Sequence, residues 1–260
     1  MNHNHYHGES SYEPIWVILF LLLILFYSLA ALRHNKWPLS RYVFWGLGLF
    51  CIMITLTGPI SNLAHEDFTF HMLGHLLLGM LAPLLLALAA PMTLIFRTLS
   101  LKKARSLSRF LKSRPVSMYR HPVLASFLNI GGLWLLYTTG MYASMKENIF
   151  LHVLVHIHVF VAGYLYTISI VYIDPAPHRY SYTFRSIVLI LSLAGHSILS
   201  KYLYTHPPAG VPLEQAEQGA MMMYYGGDVI DMILIWLLCY QWYKATSPRI
   251  TQHKGDLESM

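Results

Sequence analysis

The sequence predicts an all-α polytopic membrane protein with seven transmembrane helices, its N terminus outside and its C terminus cytoplasmic. Three observations carry this. Of the 260 residues, 55% are hydrophobic and only 12% charged, whereas a soluble globular domain carries roughly a quarter charged residues. Seven stretches approach the ~20 mostly apolar residues that a helix needs to cross a bilayer, where lipid offers no partner to an unpaired backbone group. Lys and Arg gather on alternate sides of those stretches, in the asymmetry that sets membrane orientation.

The first span, Ile15 to Leu32, contains no charge. Met1 to Pro14 has no Lys or Arg, so the positive region of a cleavable signal is missing although Ser28-Leu29-Ala30 resembles a cleavage site, and the helix is expected to be retained. The second span is Tyr42 to Ile60. The third, His71 to Phe96, contains Pro83 and Pro91, which should kink it. The fourth to seventh are Pro122 to Tyr142, Ile149 to Ile173, Ser186 to Leu203 and Gly219 to Tyr243. In the sixth, Lys201 must snorkel to the interface. The chain thus divides into an extracytoplasmic tail (1–14), a membrane domain (15–243) and a cytoplasmic tail (244–260). Trp16, Trp37, Tyr42, Tyr142 and Tyr243 end apolar runs, as interfacial anchors do.

Of the 18 Lys and Arg residues, all but Lys146 and Lys201 fall on one side of this topology. That side is cytoplasmic by the positive-inside rule. The net charge of +6 is therefore a topology signal and does not point to nucleic acid. The basic, partly amphipathic connector KKARSLSRFLKSR reads the same way. There is no nucleotide-binding glycine motif, lipidation box or internal repeat. No lysine lies inside the bundle to form a retinal Schiff base. Cys51 and Cys239 sit in apolar runs without a CxxC partner and read as packing residues.

Ionisable groups inside a membrane are costly, so each invites a functional reading. Here they form a layer. Counted at ~1.5 Å per residue, His75, His156, His196 and Asp228 fall ~8–14 Å below the outer loops. The inner half has no comparable group, since His121 and His178 belong to the cytoplasmic edge. Asp231 lies three residues deeper than Asp228. His71 and His75 are spaced i,i+4 on the third span, and His152 and His156 repeat that spacing on the fifth. Each pair shares one helix face. If the two faces meet, they supply three or four imidazoles to a metal, with His196 at the same depth. His158 is off that face and is assigned to helix packing or a supporting role.

Methionines crowd the same side: Met72 and Met80, Met141 and Met145, and the run Met221, Met222, Met223. Thioethers with imidazoles suit Cu(I), whereas imidazole alone also suits zinc or iron. Met222 is the candidate thioether ligand, with gap-filling in the core as the alternative. In the tail, His3, His5 and His7 could capture a metal loosely. Asp228 and Asp231 could orient a ligating histidine, bind a proton or cation, or simply tie helices together.

The stretches HMLGHLLLGMLAPLLLALAAP (from His71), HP (at His121), HVLVHIHVFVAGYLY (from His152), DPAPHRYSYTFR (from Asp174) and EQAEQGAMMMYYGGDVIDM (from Glu214) resemble the Bacillus-type CtaG family of cytochrome c oxidase assembly factors. The resemblance spans the third to seventh helices. Glu217-Gln218-Gly219 departs from the double glutamine expected before that glycine. It implies a multi-pass protein of the bacterial cell membrane that is not an enzyme and acts with haem-copper oxidase subunits. Copper supply to the oxidase copper centre is the activity it implies. Haem or zinc binding and membrane copper or ion transport stay open, as does oligomeric state. A membrane di-iron enzyme fits less well, because such enzymes carry HxxHH boxes at the cytoplasmic face and this chain has none.

Overall fold

The computed structural model describes residues 13–34, 36–57, 59–176 and 178–247. Over these it is all-helical, with six helices long and apolar enough to cross a membrane, or seven when one bent pair is taken as a single span. The long helices are α1 (Glu13–Leu32), α2 (Leu39–Leu56), α4 (Phe68–Leu88), α10 (Ile149–Ile170), α11 (Tyr182–Thr205) and α12 (Leu213–Thr246). Between them lie α3 (Pro59–Glu66), α5 (Pro91–Thr98), α6 (Leu101–Leu111), α7 (Arg114–Tyr119), α8 (Pro122–Thr138) and α9 (Met141–Glu147). Six of the expected spans are recovered, most with ends moved by a few residues.

The fourth span and Pro91 of the third differ from expectation in instructive ways. The expected span from Pro122 to Tyr142 stops at Thr138, and α9 continues at an angle of 79°. The hydroxyls of Thr138 and Thr139 donate to the carbonyls of Trp134 and Leu135 at 2.7 and 2.6 Å. Such side-chain bonds compete with helix continuation, and Thr139 is already extended. Pro83 does not break α4, because the turn before it, Leu77–Leu81, widens to π geometry. Pro91 ends it instead: Ala90 turns left-handed at φ 52° and α5 starts afresh. Asp174 caps that new start, accepting from the backbone N–H groups of Met92 and Thr93 at 3.1 and 2.7 Å and from the Thr93 hydroxyl.

α4 is the central element, with 61% of its most apolar stretch buried against 17% for α1 and for α10. It packs on α2, α10 and α12, and α11 packs along α12. Its approach to α10 depends on glycine. A Cβ on Gly163 would overlap the backbone carbonyl of Gly79, and one on Gly79 would lie 2.8 Å from Val159. Small residues let membrane helices come this close. Gly79 is also residue i−4 to Pro83, so proline removes its ordinary helical donor.

Two expected anchors are core residues. The Trp37 indole donates to the Tyr27 hydroxyl at 3.2 Å and lies under the Arg41 guanidinium. Tyr142, carried inward by the bend, is 2% exposed and packs edge-on to Phe68. Trp16 and Tyr243 are exposed as expected. Arg185, immediately before the expected start of the sixth span, is 1% exposed between the rings of Tyr172 and Tyr182.

Candidate metal centre

α4 and α10 begin alike, and this alignment sets the site. The Asp67 side chain accepts from Thr69 N–H at 2.6 Å to cap α4. Asn148 accepts from the N–H groups of Phe150 and Leu151 at 3.0 and 3.2 Å to cap α10. Short polar side chains at this position satisfy the first orphan donors of a helix. Each cap is followed four and eight residues later by histidine: His71 and His75 on α4, His152 and His156 on α10. The glycine contact holds the two helices together one to two turns deeper.

All four of these histidines line one cavity of about 630 Å³, and His65 from α3 joins them. The rings of His65 and His152 stack at 5.2 Å, and those of His152 and His156 at 4.2 Å. His65 is exposed, His152 and His156 are half-buried, and His75 is buried, so the imidazoles grade from the surface inward. His156 Nδ1 lies 2.8 Å from the His152 carbonyl. A carbonyl only accepts, so Nδ1 carries the proton and Nε2 keeps a free lone pair. His71 Nε2 lies 3.1 Å from the Tyr137 hydroxyl. Tyr137, Tyr142 and Met145 complete this part of the wall. His75 has no hydrogen-bond partner on either ring nitrogen.

The remaining candidates lie elsewhere. His196 is buried beside His75, with ring centroids 6.3 Å apart, and does not line the cavity. Met222 packs half-buried between two core clusters. Asp228 is half-buried and Asp231 buried, both on α12 and neither on the cavity wall. His158 donates from Nε2 to the Leu128 carbonyl at 3.1 Å, against the π turn of α8 at Phe127–Gly131. His3, His5 and His7 lie outside the described residues. Among the described residues no three His, Cys, Asp or Glu side chains already converge as a metal-holding group. The cavity therefore offers several separate donors in place of a closed cage.

Sequence reasoning missed His65, Tyr137, Tyr142 and Met145. His65 stood in a segment read as a loop, six residues before His71. Its signal was a histidine just outside the span at the level of the others. Met145 was noted only as one methionine among many, because a straight fourth span leaves it in the loop.

Comparison with known proteins shows the family to which the chain belongs. The family described as cytochrome c oxidase caa3 assembly factor (Caa3_CtaG) matches residues 23–245. A protein of Mycobacterium bovis and one of Mycobacterium tuberculosis, both described as uncharacterised, are each 31% identical over 185 residues. A Mycobacterium leprae protein, also so described, is 28% identical over 178 residues. These matches cover 68%, 68% and 66% of this chain, but only 28%, 28% and 27% of the relatives, so the chain spans less than a third of their length. No solved structure matches it. From residue 23 to residue 245, then, the chain is a member of the cytochrome c oxidase caa3 assembly factor family.

Proposed function

We propose that the protein receives Cu(I) at the histidine-lined cavity and passes it to the copper centre of a haem-copper oxidase during assembly. The observation that carries this reading is the meeting of two i,i+4 histidine pairs, from α4 and α10, on one cavity wall. Neutral imidazoles with a nearby thioether, Met145, are donors of the kind that soft Cu(I) accepts. Their spacing suits cargo, because an ion held by few donors at a time leaves more readily than one in a closed cage. His71 and His75, with His152 and His156, are the receiving donors, and His65 is the outermost. The Lys and Arg asymmetry turns the histidine end outward in a bacterial cell membrane, so copper arrives from the extracytoplasmic side and oxidase subunits receive it laterally.

The test is elemental analysis and spectroscopy of the detergent-purified full chain, together with copper loading of the oxidase in cells. Wild type is expected to carry copper. His75→Ala combined with His156→Ala should lose it and leave the oxidase copper-deficient. Unchanged copper in the double variant would defeat the proposal. A Soret band would replace copper by haem, and copper uptake into vesicles holding only this protein would replace delivery by transport.

A further inference from the structure

We propose that His75 and His196 form a second, dry position for a closed-shell monovalent ion, Cu(I) or Ag(I), held linearly between two imidazoles just inside the cavity. The inference deepens the copper reading and rests on it. His75 and His196 are 6% and 4% exposed, the most buried imidazoles of the site. Both nitrogens of His75 and Nε2 of His196 have no hydrogen-bond partner. Buried polar atoms are nearly always paired, and one left alone marks a missing partner. Here three such atoms sit on two neighbouring rings from different helices.

The separation fits one ion. A metal–imidazole bond is ~2 Å and the nitrogen stands ~1.1 Å from its ring centroid, so a linear N–metal–N unit spaces the centroids ~6 Å apart. The observed spacing is 6.3 Å. A direct hydrogen bond between the rings would bring the centroids closer, to ~5 Å.

Two glycines make room for these rings. A Cβ on Gly227 of α12 would lie 2.6 Å from His196 Cε1, and one on Gly79 would lie 3.3 Å from His75 Cε1 and Nδ1. The Gly226-Gly227 pair of α12 is thereby explained on one side by His196 and on the other by Leu76, which a Cβ on Gly226 would meet at 2.5 Å.

Zinc favours four ligands, and no third His, Cys, Asp or Glu is gathered here among the described residues. A two-coordinate site of neutral nitrogens in apolar surroundings selects a soft monovalent ion over a divalent one. His75 belongs to both places, lining the cavity and lying beside His196, so it is where an ion passes from open to buried ligation.

The experiment is a Cu(I) titration of the full chain in detergent against a chromogenic Cu(I) chelator, with X-ray absorption of the loaded protein. Expected are one tight equivalent with two nitrogen neighbours near 2 Å and at least a tenfold loss of affinity in His196→Ala. Gly227→Ala, which keeps both histidines but crowds His196, should weaken the same equivalent, and Zn(II) binding should not change. If wild type binds Cu(I), His152→Ala with His156→Ala loses it, and His196→Ala retains it at full affinity, the paired site is wrong and the cavity reading survives. If wild type takes up neither Cu(I) nor Ag(I), both fail. Should His196→Ala not fold, wild type labelled with [15N]histidine and loaded with Ag(I) decides: coupling to silver on two imidazoles supports the pair, and its absence overturns it.

Discussion

Substituting Gly163 by alanine tests whether the histidine pairs meet because α4 and α10 are in backbone contact. The added Cβ would overlap the Gly79 carbonyl oxygen and would also lie 3.3 Å from Pro83 Cγ. A backbone carbonyl cannot rotate away as a side chain can. Restoring an ordinary contact of ~3.5 Å therefore requires α10 to retreat by about 1.5 Å. Overpacking of this kind costs about 1–3 kcal/mol. The control is Gly46→Ala on α2, where a Cβ would meet nothing within 4 Å and relief of glycine's backbone entropy should stabilise by up to about 1 kcal/mol. Unfolding of the detergent-purified variants, followed by helical circular dichroism, should move them in opposite directions. Gly163→Ala should also weaken copper retention, since its displacement moves His152 and His156 relative to His71 and His75. If Gly163→Ala proves as stable as Gly46→Ala and binds copper like wild type, the contact does not set the site.

Two more substitutions probe separate parts of the structure. Asp174→Ala removes the acceptor of two N–H groups and one hydroxyl at the start of α5; loss of such a cap should cost about 1–2 kcal/mol in the same assay, without altering copper stoichiometry. His158→Leu should leave copper content unchanged, because this ring bonds to the Leu128 carbonyl and lies off the cavity. A copper-free His158→Leu protein would mean that the wrong face of α10 has been assigned.

The local sequence determined a great deal here because a bilayer imposes one-dimensional rules. Apolar length identifies a spanning helix such as Glu13–Leu32 or Ile149–Ile170 wherever it packs, since the backbone must satisfy itself within the segment. The i,i+4 spacing of His71 with His75 and of His152 with His156 likewise fixes a shared face on each helix. Spacing along one helix, however, carries no information about the azimuth of another. Only tertiary structure turned the two faces onto one cavity, through a Gly79–Gly163 contact that reads in sequence as two unremarkable glycines. The bend after Thr138 was hidden for a similar reason. Thr138-Thr139-Gly140 is tolerable within an apolar run, and the decision to break came from hydroxyls taking the carbonyls of Trp134 and Leu135 and from the space that Tyr142 fills against Phe68 and His71. The same packing divided residues that equal depth had grouped. His196 and His75 were assigned one level by counting along their helices, and the fold set them side by side, with His75 on the cavity wall beside His65, His152 and His156 and His196 buried behind it.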